Sequence, residues 1–463
     1  MSYPRKRGDG KGKDRIIILE DPLGDGSYGK STVFYEGLDL VSGIEVGHGG
    51  VWIGAAPELL FIPKDAQDKP GKPRVVLDGW AMQDTHETLN SFTWGPDGWL
   101  YGCHGVFTHS NVGKPGAPDS ERKRINAGVW RLHPLTKEFE IFAEGTSNPW
   151  GLDYDKHGEM FITACVIPHL YHVFPGGRYQ RQAGQHFEPN TYDDIKTIAN
   201  HAHFTGSVLH RPAERGVVQP QSTDEAGGGH AHCGLAIYNG DNFPAEYQGL
   251  LLFGNLHGHR VVADSVEAKG SGFVGHHAED FMRSNDAWFI PVTQRVGPDG
   301  ALYVSDWTDK QTCHNNNLET WDRGNGRIYR VSYGAAKSRA RDLTALKSQE
   351  LLTIALDDPN EFFVRQARKV LAERAVEMRH GVEADFGTAS ALLTAETTVR
   401  SLKAEPLRRL RALWVLASAG VFPAFEGDRV REKVDLLDVG LTAKDEHLRA
   451  WFVRLMSERT RNI

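Results

Sequence analysis

Cysteine is scarce in this chain of 463 residues, which contains only Cys103, Cys165, Cys233 and Cys313. The four residues lie far apart and form neither a Cys-x-x-Cys nor a Cys-x-x-Cys-His motif. This spacing gives no indication of a zinc knuckle or of a covalently attached haem. Four scattered cysteines do not require disulfide bonds, and the sequence leaves their presence open.

Long apolar runs are also missing. No run of about 18 apolar residues predicts a membrane-spanning helix, and the basic segment of residues 1–14 lacks the apolar core of a signal peptide. The net charge of −7 gives no reason to expect a nucleic-acid partner. The composition, 40% apolar and 24% charged, is that of a soluble globular protein of two or three domains.

Glycine and tryptophan, at 50 and 11 residues, are abundant and indicate β-strands joined by tight turns. Gly95–Tyr101 and Gly297–Tyr303 both read Gly-Pro-Asp-Gly-x-Leu-Tyr, and Asp155–Phe161 is a degenerate third copy. A glycine-rich turn before an apolar strand, recurring every few tens of residues, is typical of β-propeller blades. We therefore predict an all-β six-bladed propeller over residues 1–334. Its first blade, at Arg15–Tyr35, lacks inner strands, so the natural domain is expected to begin before this chain does.

The pattern changes after residue 334, where apolar residues recur with a period near 3.6. Helices are predicted at Leu351–Ala375 with a break at Asp357–Asn360, and again at Leu407–Ala419 and Glu446–Arg459. Three similar helical segments place an alanine in register at intervals of 45 and 38 residues: Ala367, Ala412 and Ala450. This spacing predicts an all-α, HEAT/ARM-like domain over residues 335–463.

Four histidines stand out in the stretch Gly227–Arg260, as two His-x-His pairs next to predicted strands. In a strand, residues i and i+2 point to the same face, so each pair is expected to present two imidazoles together. The imidazoles are candidates for metal ligation, for contact with an organic ligand or substrate, or for structural hydrogen bonding. Arg260 suits an anionic ligand. The pairs are His230/His232 and His257/His259.

Further candidates lie where strands begin or end. His86, in Asp84-Thr85-His86, is a candidate general base, with a backbone-bonded loop histidine as the alternative. Asn148 offers its amide to a ligand or caps a turn. The stretch Asp306–Asp309 ends a strand with carboxylates that suit sugar hydroxyls, a cation or a turn. The segment His201–His210 is predicted to be a loop over one face.

These motifs resemble those of the soluble quinoprotein glucose/sorbosone dehydrogenases, six-bladed propellers that use pyrroloquinoline quinone (PQQ) and calcium. The shared features are an Asp-His pair before a Gly-Pro-Asp-Gly strand, an Asn-Pro-x-Gly turn, a Gly-Gly-x-Tyr turn, an apolar hairpin and a late Pro-Asp-Gly strand. In this chain they are Asp84/His86, Asn148–Gly151, Gly176–Tyr179, Gly234–Val261 and Pro298–Asp306. A closer resemblance, over nearly the whole chain, is to the Planctomycetes-like proteins called membrane-bound dehydrogenases, in which a propeller precedes HEAT repeats and usually a cytochrome c domain.

The resemblance implies an oxidoreductase of sugar or alcohol substrates that passes electrons to a cytochrome c domain or protein, in the periplasm. It implies that His86 takes the hydroxyl proton while hydride leaves to the quinone. The residues expected to line the cofactor and substrate site are Asn148, Gly176, Gly177, His230, His232, His257, His259 and Arg260.

The sequence also departs from the quinoprotein pattern. Ser147 stands where the family has an arginine, and Ala287–Pro291 lacks the two arginines that hold the quinone's carboxylates. His169 and His172 occupy a neighbourhood that is acidic in the family. PQQ is a tricarboxylate and would lose several charge-assisted hydrogen bonds here. The alternative function is therefore a non-catalytic carbohydrate-binding or scaffolding propeller.

Overall fold

The computed structural model describes residues 2–3, 12–21, 27–187, 193–204, 224, 227–312, 317, 320–322, 324–334, 341–381, 386–422 and 430–459. The strands are β1 (Asp14–Glu20), β2 (Lys30–Leu38), β3 (Val41–Gly47), β4 (Gly50–Ala55), β5 (Glu58–Pro63), β6 (Arg74–Asp78), β7 (Asn90–Trp94), β8 (Leu100–His104), β9 (Ser110–Val112), β10 (Lys123–Ile125), β11 (Gly128–Leu132), β12 (Phe139–Thr146), β13 (Leu152–Tyr154), β14 (Met160–Thr163), β15 (Leu170–Val173), β16 (Arg178–Arg181), β17 (His232–Ile237), β18 (Leu251–Asn255), β19 (Arg260–Lys269), β20 (Gly272–His277), β21 (Met282–Arg283), β22 (Pro291–Val296), β23 (Leu302–Asp306) and β24 (Arg327–Val331). The helices are α1 (Ser348–Asp357), α2 (Glu361–Arg379), α3 (Phe386–Arg400), α4 (Pro406–Ser418), α5 (Val430–Leu441) and α6 (Glu446–Arg459).

The strands form a β-propeller with five blades over the described residues. Blade 1 is β3–β6, blade 2 is β7, β8, β11 and β12 with β16 added in parallel, blade 3 is β13–β15, blade 4 is β17–β20 with β21, and blade 5 is β22–β24. The prediction of six blades was wrong. The hairpin β1–β2 pairs with no other described strand, and its apolar side chains pack on blade 1 instead.

The repeated Gly-Pro-Asp-Gly-x-Leu-Tyr sequence builds the same corner twice. In blade 2 the Tyr101 hydroxyl donates to Asp97 Oδ2 (2.5 Å), and Arg131 from the third strand lies 3.3 Å from the same oxygen. Gly98 closes the turn at φ +86°, a left-handed conformation that favours glycine. Blade 5 repeats this arrangement with Asp299, Tyr303 and Arg330. The sequence repeat therefore predicted the turn correctly because its hydrogen bonds are local.

Apolar side chains between neighbouring blades supply the propeller core. Alternation along a strand sends successive side chains to opposite faces of a blade, so each blade packs against both neighbours. Trp52 and Trp130 lie in the cluster between blades 1 and 2, and Phe253 lies between blades 3 and 4. Fully burying one such side chain contributes about 1.5–3 kcal/mol.

The helical region has its own core, which includes Leu351, Phe363, Trp414 and Phe452. The predicted break is confirmed, since α1 ends at Asp357 and α2 begins at Glu361. The prediction of a helical region is also confirmed, whereas its HEAT-type repeat character stays a prediction. None of the helices in the described part of the chain is long and apolar enough to cross a bilayer.

Helix α2 covers one end of the propeller. In each blade the first two strands are antiparallel, so the turn between them lies on one face, here named the lower face. Polar contacts of α2 reach the lower turns or strand ends of blades 1, 3, 4 and 5. They are Lys369 Nζ to Val46 O (2.8 Å), His48 N to Glu373 Oε1 (2.5 Å), Arg365 Nη1 to Asp153 Oδ1 (2.6 Å), Glu361 N to Asn239 O (2.9 Å) and Asn360 Nδ2 to Gly297 O (3.1 Å). A cavity of about 370 Å³ remains between α2 and these strand ends.

Candidate functional site

The upper face lies opposite α2. It is formed by the loops that precede the first strand and follow the second strand of each blade. Backbone contacts join these loops around the mouth of the propeller. Val166 N donates to His230 O (2.9 Å), and Cys165 N donates to Ser147 O (3.1 Å). The predicted residue Asn148 accepts a hydrogen bond from Val106 N at its Oδ1 (3.1 Å). The sequence motifs from blades 2, 3 and 4 therefore meet along one rim.

His86 is held by a carboxylate. Its Nδ1 is hydrogen-bonded to Asp84 Oδ1, and its backbone N donates to the same oxygen (3.0 Å). Asp84 is fixed in turn by Thr108, whose hydroxyl donates to Asp84 O (2.8 Å). A carboxylate on Nδ1 places the imidazole proton there and leaves Nε2 as the proton acceptor. The geometry therefore suits a general base.

Glu87, which sequence reasoning missed, is a buried acid beside this pair. Glu87 is only 1% exposed, and its Oε1 accepts a hydrogen bond from Phe107 N (2.9 Å). Burial, reinforced by the charge of Asp84, raises the pKa of Glu87 to about 9. A protonated carboxyl thus lies next to an aspartate–histidine pair, and such opposed environments mark acid–base sites. The only sequence signal was its position directly after His86.

Aromatic side chains border His86. Trp307 and Trp321 stack with ring centroids 5.5 Å apart, and Tyr3 meets both rings edge-on. Tyr3 also lies 5.3 Å from the His86 ring. The Trp307 indole N–H is buried and has no hydrogen-bond partner among the described residues. An aromatic side chain beside an imidazole suits the apolar face of a sugar-like ring.

The carboxylates that end β23 are used by the backbone. Asp306 Oδ1 accepts from Ile290 N (2.8 Å) and Thr308 N (2.7 Å). Asp309 accepts from Gln311 N (3.0 Å) and Asp322 N (2.8 Å). These contacts favour the turn-capping interpretation over a cation or sugar site.

The two His-x-His pairs are divided between different neighbours. The His230 and His257 rings lie 4.5 Å apart, so one member of each pair meets on the rim. His232 turns into the protein, 5.0 Å from the rings of His169 and His203. His259 Nδ1 donates to Phe289 O (2.8 Å), which is the structural role left open by the sequence.

Arg260 and the Gly176–Gly177 turn have structural partners. Arg260 Nη1 lies 2.8 Å from Asp280 Oδ2, and Nη2 is hydrogen-bonded to Asp224, so two carboxylates balance its charge.

Gly176, at φ +75°, donates its backbone N–H to Phe142 O (2.7 Å) and fixes the turn against β12. Gly177 O accepts from Glu144 N (2.9 Å).

The predicted anion partner Arg260 and the carboxylates of Asp306 and Asp309 do not fit PQQ with calcium. A tricarboxylate needs guanidinium or ammonium partners, and Arg260 is already paired with two carboxylates. Calcium needs six to eight oxygen ligands, whereas the carboxylates of Asp306 and Asp309 accept backbone N–H groups.

A second group of chemically active side chains lies between blades 3 and 4. One donor atom from each of its four members lies within 4.8 Å of the others, a grouping that suits a metal ion. Burial lowers the pKa of His169 to about 3, so its imidazole is neutral, as a metal ligand requires. The prediction of a loop at His201–His210 is tested only up to residue 204, because residues 205–210 lie outside the described part. The group, named here the blade 3–4 histidine cluster, is His169, His201, His203 and Asp264.

We expect Glu87→Gln to stabilise the protein by an amount that grows with pH. The pKa of Glu87 is near 9 in the folded protein against an ordinary 4.5, so between these values unfolding releases a proton. Wild-type stability then falls by up to about 1.4 kcal/mol per pH unit from this group, whereas glutamine does not titrate. Urea unfolding of both proteins at several pH values between about 5 and 8 measures this difference. A stability difference that is constant over that range would contradict it.

Comparison with known proteins gives a family but no activity. No curated protein matches the chain. Among solved structures, a Thermus thermophilus protein assigned as a glucose dehydrogenase-type oxidoreductase is 17% identical, with a TM-score of 0.45, covering 70% of this chain and 94% of its own. The PQQ-bound aldose sugar dehydrogenase of Streptomyces coelicolor is 16% identical, with a TM-score of 0.41, covering 66% and 86%. At these identities and TM-scores the likenesses carry no inference about activity. The family model described as "Domain of unknown function (DUF7133)" matches residues 1–335, and the chain therefore belongs to the DUF7133 family.

Proposed function

We propose that the upper mouth of the propeller binds a sugar-like, polyhydroxylated substrate and that the protein oxidises one of its hydroxyl groups. The observation that carries this proposal is the arrangement of Asp84, His86 and Glu87. The carboxylate on Nδ1 leaves Nε2, which is buried in this structure, as the acceptor nitrogen of His86, and the buried Glu87 keeps its proton at neutral pH. The partly exposed Trp307, which stacks on the buried Trp321, is proposed to supply the surface on which a sugar ring packs.

In this proposal His86 Nε2 removes the hydroxyl proton, and the hydrogen on the same carbon leaves as hydride to a two-electron acceptor. Asp84 holds the ring orientation and stabilises the imidazolium that forms. Asn148, His230 and His257 line the neighbouring part of the rim and are proposed to bind further hydroxyl groups. A periplasmic location, a cytochrome partner and a domain boundary near residue 334 belong to the proposal and rest on the sequence alone.

The test is a dye-reduction assay of the full chain against a panel of aldoses and polyols. The assay is run with PQQ plus Ca²⁺, with other two-electron acceptors, and with no added acceptor. We expect substrate-dependent reduction with at least one sugar or polyol. If no member of the panel is oxidised with any acceptor, the oxidoreductase proposal is wrong.

A second candidate is a carbohydrate-binding propeller without catalysis. It is favoured by the pairing of Arg260 with two carboxylates, which occupies this guanidinium. Isothermal titration calorimetry with the same sugars separates the two candidates. Saturable binding without turnover would support the second candidate, and absence of binding would remove both.

A further inference from the structure

We propose that the blade 3–4 histidine cluster is a closed binding site for a divalent transition metal, with Zn²⁺ as the ion of best geometric fit. The four proposed ligands come from three separate segments of the chain. The site goes beyond the proposed substrate site and does not depend on it. The ligand atoms are Nε2 of His169, His201 and His203 and a carboxylate oxygen of Asp264.

The distances between three of these atoms match the edges of a ligand tetrahedron. His201 Nε2 lies 3.3 Å from His203 Nε2 and 3.1 Å from Asp264 Oδ1, and His203 Nε2 lies 3.4 Å from the same oxygen. Bonds of about 2.05 Å at the tetrahedral angle place ligand atoms about 3.3 Å apart, whereas adjacent octahedral ligands at that bond length are about 2.9 Å apart. The three atoms are therefore already spaced for tetrahedral Zn²⁺.

A chain of hydrogen bonds also aims a lone pair of His201 into the cluster. His276 Nε2 lies 3.2 Å from the Glu267 carboxylate, which can only accept, so His276 Nδ1 is the acceptor for Asn200 Nδ2 (2.7 Å). Asn200 Oδ1 then accepts from His201 Nδ1 (3.1 Å). In the neutral imidazole this leaves a lone pair on His201 Nε2, which faces Asp264 Oδ1 at 3.1 Å. Either a proton on Nε2 or a metal ion between the two atoms satisfies both groups. The chain of hydrogen bonds to His201 Nδ1 is the outer-shell arrangement that orients metal-binding histidines.

The buried negative charge of Asp264 also favours a cation at the cluster. Its side chain is fully buried, and within the described residues it is paired with no arginine or lysine, only with imidazoles. Burying an isolated carboxylate is costly unless a cation or a metal compensates it. A divalent ion at the cluster would provide that compensation.

His169 is the fourth member of the cluster, with a ring nitrogen within 4.8 Å of the other three ligand atoms. Its Nε2 lies at hydrogen-bond distance, 2.7 Å, from the second carboxylate oxygen of Asp264, and its ring packs on Phe253 with centroids 5.4 Å apart. Four protein ligands make a closed site, which is the arrangement of structural rather than catalytic zinc. The ion would join residues 201–203 to the start of β15 in blade 3 and to β19 in blade 4.

The experiment measures metal content and affinity in the full chain. Purified protein is stripped with a chelator, dialysed and titrated with Zn²⁺ by calorimetry, and a separate sample is loaded with Co²⁺. We expect one Zn²⁺ per chain, a rise of a few degrees in the melting temperature on adding Zn²⁺, and the intense visible absorption of tetrahedral Co²⁺. Stripped protein that binds no Zn²⁺ with a stoichiometry near one would overturn the proposal.

Two variants test whether the metal binds at the blade 3–4 histidine cluster. His201→Gln, at the more exposed edge of the cluster, is expected to weaken Zn²⁺ binding at least about 100-fold and to abolish the tetrahedral Co²⁺ spectrum. His172→Gln is the matched control, because His172 lies in the same blade as His169 and pairs with Glu159 outside the cluster. Far-ultraviolet circular dichroism of the stripped proteins verifies folding, and the Co²⁺ spectrum of the wild type tests the site without any substitution. Equal Zn²⁺ affinity of His201→Gln and wild type, or equal losses in the two variants, would also refute the assignment.

Discussion

Replacing His86 with alanine is expected to lower the turnover number for the sugar or polyol substrate by about 10²–10⁴-fold, the range contributed by a positioned general base. The reason is the pairing of His86 with Asp84, which leaves Nε2 as the only acceptor of the imidazole. The Michaelis constant is expected to change much less, because the stacked Trp307 and Trp321 remain in place. Steady-state kinetics with the substrate found in the acceptor panel measure both constants.

His109→Ala is the matched control for this prediction. His109 is an exposed histidine of blade 2 on the same upper face, and its described ring contact is with Phe187, 6.5 Å away. Its removal is expected to leave turnover within about twofold, because it contacts neither Asp84 nor these two tryptophans. If His86→Ala also keeps wild-type turnover while remaining folded, His86 is not the base, and the proposed reaction loses its proton acceptor.

The propeller was predictable because its repeat encodes local geometry. The Asp97–Tyr101 hydrogen bond spans four residues, so the turn can be recognised from the sequence alone. The number of blades depends on which strands pair across long separations, and no local pattern determines this. The segment Arg15–Tyr35 was correctly predicted to contain strands, but those strands pair only with each other in the described part of the chain.

The histidine pairs show why the site was less predictable than the fold. The alternation rule requires both members of a pair to lie within one strand. β17 begins at His232, so His230 precedes it, and both His257 and His259 precede β19, which begins at Arg260. The loop backbone therefore sends the members of each pair to different neighbours. The alternation rule could not predict that the two motifs meet, which they do through the rings of His230 and His257.

The blade 3–4 histidine cluster could be predicted only in part. His201 and His203 form a third His-x-His pair that is visible in the sequence. His169 and Asp264 are separated by 95 residues and belong to different blades, so no spacing rule connects them. Their contact follows from the packing of blade 3 on blade 4, where Phe253 lies beneath the imidazoles.

The helical region explains why the substrate is expected to enter from the upper face. Helix α2 contacts the lower ends of four blades, and α4 and α6 add Trp414 and Trp451 around Gly158 of blade 3. The Trp451 indole donates to His157 O (2.8 Å). This end of the propeller is covered, and the Asp84–His86 pair lies at the opposite end.

Arg365→Ala is expected to lower the free energy of unfolding by about 3 kcal/mol, the cost of removing one partner from a buried ion pair. Arg365 donates to Asp153 Oδ1 (2.6 Å) and to Tyr154 O (2.7 Å), and its guanidinium lies 3.9 Å from the Tyr154 ring. Asp153 Oδ2 also accepts from Ile237 N (2.8 Å), so this carboxylate joins α2 to blades 3 and 4. Urea unfolding followed by far-ultraviolet circular dichroism and tryptophan fluorescence measures the loss.

The two probes also test whether this ion pair couples the helices to the propeller. Circular dichroism reports mainly the helices, whereas most tryptophans lie in the propeller. In the wild type the two transitions are expected to coincide, and in Arg365→Ala the helical transition is expected to move to lower urea, because α2 loses the contacts of Arg365 with Asp153 and Tyr154. Glu377→Ala, an exposed change on the same helix, is the control and is expected to stay within about 0.5 kcal/mol of the wild type. Equal small losses in both variants would show that the remaining contacts of α2 and of Asn360, which precedes it, are enough to hold the helix on the lower face.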